Sequence, residues 1–124
     1  MYDTDILIWI QRGNSEAARQ VENDENRQLS IQSYMELLQG ARHRTEQQFA
    51  RDFISQFSFT ILPLTENIGH RALIYVEEYA LSDGMRAADA IVAATAVEAN
   101  LKLLSGNARH LRPVKELQLR VFRP

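Results

Sequence analysis

The sequence holds no cysteine, which removes disulfide frameworks and thiolate metal sites together. Its five glycines and three prolines gather into no linker, low-complexity tract or repeat. No apolar run approaches the roughly 20 residues that a membrane span requires, so no membrane association is expected. The start lacks the basic-then-apolar order of a secretory leader, and a cytoplasmic location is the expectation. Neither charge sign dominates: 14 Lys and Arg stand against 16 Asp and Glu, and a net charge of −2 carries no global signature of nucleic-acid binding. What is there is 45% hydrophobic content over 124 residues. That is enough to bury one core and too short a chain for two, so residues 1–124 are expected to form a single domain.

The charge is unevenly placed. From Ala108 to Pro124 the chain carries Arg109, Arg112, Lys115, Arg120 and Arg123 against Glu116 alone, a locally basic tail. Arg42, Arg44 and Arg51 form a weaker second patch. Within the tail, Arg109 and Arg112 are candidates for contacts to phosphate groups.

Periodicity alternates helix-like and strand-like segments with short connections. Ile6 to Ile10 reads as a helix stopped by Gly13, and Asn14 or Ser15 caps a polar helix running to about Asp24. Gln28 to Gln32 alternates like a strand, and Ser33 begins a helix containing Tyr34, Leu37 and Leu38. A longer amphipathic helix runs from about Thr45 to Gln56, with Phe49, Phe53 and Phe57 four apart on one face and expected in the core or a subunit interface. Phe59 to Leu64 reads as a strand, Glu66 to Tyr79 as a helix, and Ser82-Asp83-Gly84 as a turn. Arg86 to Asn100 is an alanine-rich helix, Leu101 to Leu104 a buried strand, Ala108 to Leu111 a turn of helix and Leu117 to Phe122 a last strand. This order describes an α/β sandwich with a mostly parallel sheet.

In such sheets ligands bind beyond the carboxyl ends of the strands. The opening "MYDTDILIWI" puts two aspartates, Asp3 and Asp5, directly ahead of an apolar stretch, where a solvated acid has no reason to be. Glu36 follows the second strand by one helical turn, Asp89 opens the helix before the fourth strand, and Asn107 follows that strand. Oxygen-bearing side chains from separate segments can thus converge, with only His110 and Arg109 nearby to neutralise them. Carboxylates gathered without cations repel one another, and a hard oxygen-ligated ion, Mg²⁺ or Mn²⁺, suits such a set.

The stretches "DTDILIWIQRG", "SIQSYMELLQGAR" and "AADAIVAATAVEANLKLLSGNARHLRPV" resemble the PIN-domain family, in particular its VapC-type toxins. The likeness covers nearly the whole chain, and the third segment is the most specific. It implies a PIN-like α/β/α sandwich with a mostly parallel central sheet of four to five strands, and a metal-dependent endoribonuclease hydrolysing RNA phosphodiester bonds. It implies that Asp3, Glu36 and Asp89 hold Mg²⁺ or Mn²⁺, and that Asn107 is the fourth, polar position of the catalytic set. Thr4 and Ser105 match the small hydroxyl residues accompanying the first and last positions, and Asp5 matches one that is commonly Asn or Asp. The resemblance further implies a homodimer and a VapB-like antitoxin that inhibits the site. One departure stands out: only Met1 and Tyr2 precede Asp3, where the family has a fuller apolar first strand.

Plainer roles exist for each acid. Ser33 and Glu36 fit an S-x-x-E capping box, Asp89 can complement a helix dipole, and Asp3 and Asp5 can form turns. If all held, the chain would be a non-catalytic binding module. "DTDIL" also resembles the D-x-D motif of haloacid-dehalogenase phosphatases, whose first aspartate is a nucleophile. That family needs a lysine after a later strand, whereas Lys102 precedes its strand and Lys115 sits in the tail.

Overall fold

A computed structural model describes residues 1–124. Seven helices and four three-residue strands follow in the order α1 (Thr4–Gln11), α2 (Ser15–Glu22), β1 (Gln28–Ser30), α3 (Ile31–Gln39), α4 (Arg44–Gln56), β2 (Thr60–Leu62), α5 (Glu66–Asp83), α6 (Ala87–Glu98), β3 (Leu103–Ser105), α7 (Ala108–Leu111) and β4 (Leu119–Val121). No helix is long and apolar enough to cross a membrane.

The strands form two parallel pairs, β1 with β2 and β3 with β4. Tyr2 lies between the pairs as a parallel bridge to both Leu29 and Leu104. The fold is α/β with parallel pairing, as expected, but a continuous sheet of four to five strands is not what forms. One boundary is local: α1 begins at Thr4 with Asp3 as its cap, so the pairing between β1 and β3 ends at Tyr2. Backbone bonds hold Met1 and Tyr2 there, Tyr2 N–H donating to Gln28 O at 3.1 Å, Leu104 N–H to Met1 O at 2.9 Å and Asp3 N–H to Leu104 O at 3.0 Å.

Because side chains of a strand alternate between faces, the pairing divides the interior in two. Met1 and Leu103 join a buried cluster with Ile68, Ala72 and Tyr75 of α5 and Ala90, Val92, Ala93, Ala94 and Ala96 of α6. Tyr2, Leu29 and Leu104 join a second cluster with Ile6 and Leu7 of α1, Val21 of α2, Leu37 of α3 and Ala50 and Ile54 of α4. The single core expected from length is therefore two half-cores separated by the strands. The buried alanines of α6 let it approach its neighbours closely.

Capping explains where helices begin. The Oδ1 of Asn14 accepts Ala17 N–H at 2.9 Å, and the Oγ of Thr65 accepts Ile68 N–H at 3.2 Å. Ser30, and not Ser33, caps α3 by accepting Ser33 N–H at 3.0 Å, so that helix starts earlier than its sequence pattern suggests. Helix α5 runs four residues past its expected end, to Asp83, and Gly84 with its left-handed φ of 71° terminates it. Phe53 and Phe57 pack against the second cluster with ring centroids 4.6 Å apart, whereas Phe49 is 53% exposed and outside the core.

The two half-cores make a testable pair. Val21→Ala and Val92→Ala, one on each side of the strands, should each cost about 2 kcal/mol of unfolding free energy. Their double variant should lose the sum to within about 0.5 kcal/mol in urea titrations. A strongly non-additive result would mean one continuous core.

Candidate active site

Asp3 sits where the short first strand turns into α1, and both of its oxygens are engaged. Oδ1 accepts Thr4 N–H at 2.8 Å, and Oδ2 accepts the Ser105 hydroxyl at 2.7 Å. Ser105 is fully buried at the end of β3, and its Oγ accepts Asn107 N–H at 3.0 Å. The Asn107 amide then donates from Nδ2 to Asp89 Oδ1 at 3.0 Å. Asp89 Oδ2 accepts Arg86 N–H at 3.1 Å and lies 3.3 Å from Nδ1 of His110. A line of hydrogen bonds thus joins the first strand end, the β3–α7 loop and the start of α6.

Asp89 does have the helix-start role that its position suggested, since it receives the Arg86 amide at the cap of α6. It also holds Asn107 and His110, which a simple cap would not. Glu36 is different. It lies in the middle of α3, past the true cap at Ser30, and its Oε1 accepts Gln32 Nε2 at 3.2 Å. The capping-box role is therefore absent, and Glu36 is left free for the site.

Asp5, one residue into α1, reaches across to the β3–α7 loop, where Gly106 N–H donates to its Oδ2 at 2.8 Å. Its Oδ1 is buried without a partner. A Cβ at position 106 would stand 2.6 Å from Asp5 Oδ2, so only glycine permits this approach. Thr4 is buried and its hydroxyl lies 3.4 Å from Ser33 O, tying α1 to α3. Arg109 and Arg112 are exposed on and just after α7, in no ion pair. Sequence reasoning missed the contact of His110 with Asp89 and the need for Gly106. The spacing of His110, three residues after Asn107 on a helical turn, was the available signal.

Burial pushes the Asp3 carboxyl up to about 6, with the Asp5 and Glu36 charges adding to the rise and the Ser105 and Thr4 hydrogen bonds opposing it. Burial also raises Asp5 against the pull of its backbone N–H bonds. None of Asp3, Asp5 and Glu36 forms an ion pair. No three Asp, Glu or His side chains stand close enough to hold an ion as they are. The all-oxygen donors, the mutual repulsion and the orphaned Oδ1 of Asp5 nevertheless fit a hard divalent cation.

The PIN-domain family model matches residues 1–116. The chain belongs to the PIN-domain family. This member's fold is close to that of a toxin–antitoxin complex from Klebsiella pneumoniae, with a TM-score of 0.78 and 27% identity over 94% of this chain and 92% of the other. It is similar also to VapBC2 from Rickettsia felis bound to a promoter DNA fragment, with a TM-score of 0.81 and 18% identity over 99% and 98%. VapBC-1 from nontypeable Haemophilus influenzae aligns with a TM-score of 0.76 and 21% identity over 98% and 96%. Comparison with curated proteins returns no match. The haloacid-dehalogenase resemblance falls away for this PIN domain, because Lys102 is exposed ahead of β3 and Lys115 lies beyond α7.

A carboxyl group raised on folding binds its proton more tightly in the folded state, so the stability it permits is full at low pH and falls as pH rises from about 4 to about 6. In EDTA, Asp3→Asn should match the wild type near pH 4 and exceed it by about 1 to 3 kcal/mol above pH 7. Added Mn²⁺ should stabilise the wild type alone. Denaturant melts across this range check the sign, and a pH-independent difference would refute the strained carboxylate.

Proposed function

We propose that this protein is a VapC-like toxin of a toxin–antitoxin pair, an endoribonuclease that depends on Mg²⁺ or Mn²⁺. The observation that carries the reading is the group of Asp3, Asp5 and Glu36 carboxylates, none of them in an ion pair, brought together in a PIN domain. Asp3, Glu36 and Asp89 would hold the ion, with Asn107 completing the catalytic set. Bound there, it would neutralise charge on the scissile phosphate and lower the pKa of a water towards neutrality.

The chain's own contribution is to hold these oxygens against their repulsion. Ser105 holds Asp3 through Oδ2 with a buried hydroxyl. Asn107, the residue before α7, and His110, within it, meet the two oxygens of Asp89. Asp5 straps that loop to α1 through Gly106, so the two halves of the site keep their separation. Thr4 does the same for α3, which carries Glu36. Arg109 and Arg112, exposed and free of acidic partners, supply the phosphate affinity that a ring of carboxylates lacks.

The similar solved structures are described as toxin–antitoxin complexes, which supports a VapB-like antitoxin partner for this chain. A homodimer in the cytoplasm belongs to the same reading.

Purified protein should cleave RNA with Mn²⁺, stop in EDTA and leave phosphomonoesters intact. Expressed alone it should arrest growth, and co-expression of the small protein encoded beside it should relieve the arrest. Unimpaired growth together with uncut RNA would leave a non-catalytic binding module. Replacing Arg109 and Arg112 by alanine should weaken RNA binding and flatten its salt dependence by about one to two units of slope, with Mn²⁺ affinity unchanged. An unaltered slope would exclude these two arginines from the RNA path.

A further inference from the structure

A cavity of about 540 Å³ opens between α1, α3 and α4 and shares Glu36 with the acidic site. This volume lies within the roughly 300–1,000 Å³ of small-ligand sites. Ile8, Leu37 and Phe49 give it an apolar wall beside its polar groups. Phe49 stands out: its neighbours in the four-residue repeat, Phe53 and Phe57, pack against the interior, while its own ring is 53% exposed on the cavity wall. Arg12 lines the same space and is in no ion pair; its guanidinium rests 5.7 Å from the ring centroid of Trp9. Arg42 joins it, held by Glu46 with Nε–H donating to Oε2 at 3.1 Å.

An aromatic face, an unpaired guanidinium, the Gln11 amide and the His43 imidazole around a concave space suit one chemical unit, a flat heterocycle joined to a phosphate. We propose that this cavity is a subsite for one unpaired nucleotide of the RNA, its base stacked on Phe49 and its phosphate held by Arg12. The inference rests on the ribonuclease reading and deepens it. The occupant has to be single-stranded, because a base paired in a helix keeps both faces stacked on its neighbours and cannot offer one to a side chain in a recess. Glu36 belongs to both spaces, so a nucleotide seated here lies next to the phosphate presented to the acidic site.

The site can be tested without cleavage, in EDTA, by fluorescence anisotropy of labelled single-stranded homopolymer oligoribonucleotides and of the same strands in duplex form. Phe49→Ala should weaken single-strand binding about tenfold, leave duplex binding unchanged and leave the thermal melt unaltered, while Phe49→Tyr should retain wild-type affinity. Arg12→Ala should weaken the single strand and reduce its salt slope by about one. In the wild type, the emission of Trp9, the sole tryptophan, should change as Arg12 turns from its ring to the phosphate. Wild-type affinity of Phe49→Ala for every single strand would overturn the subsite while leaving the ribonuclease reading intact, even if that variant lost a protein partner. Absence of all RNA binding by the wild type would overturn both.

Discussion

Two residues of backbone hold the molecule together. Met1 and Tyr2 are threaded between β1 and β3 by hydrogen bonds on both sides, and Asp3 follows at once as both the end of that strand and the cap of α1. Everything chemical hangs on this short span. It fixes the position of Asp3 from the Gln28 side and the Leu104 side together, and it brings Ser105, one residue beyond Leu104, within 2.7 Å of the carboxylate. It also sends Met1 and Tyr2 to opposite faces, which divides the interior into two half-cores with helices on either side.

Against that anchor the site gathers what folding alone would separate. Burial and the neighbouring Asp5 and Glu36 charges raise the Asp3 carboxyl to about 6, and hydrogen bonds recover part of the cost. The β3–α7 loop provides most of that recovery. Ser105, Gly106 and Asn107 bond in succession to Asp3, Asp5 and Asp89, one side chain or amide for each acid. A loop used this densely tolerates little change, and the space at Gly106 makes the point physically, since even one carbon there would meet the Asp5 carboxylate.

Much of this was legible in advance where the signal is local. Asn14 as a cap, the helical run from Glu66 and the turn at Gly84 rest on short-range hydrogen bonding and backbone freedom, and each lies in the chain where its residue type suggests. Ser33-x-x-Glu36 misled for the same reason, because the motif was genuine but Ser30, three residues earlier, could reach the Ser33 amide and won the cap. The phenylalanine repeat suits a core or a subunit interface; Phe53 and Phe57 join the interior, and α4 turns Phe49 outward onto the cavity beside Glu36.

The sequence by itself determined the alternation of helices and strands, the placement of acids at strand ends and, through three long segments, the PIN-domain resemblance. These depend on periodicity and residue chemistry, which act over a few positions. Only the tertiary structure decided that the sheet is two pairs joined through Tyr2, that His110 meets Asp89, and that Gly106 must be bare for Asp5 to reach its amide. Those facts involve partners as many as 102 residues apart, the separation of Tyr2 and Leu104. No local pattern encodes a distance between two segments that meet only once both cores have closed around the strands.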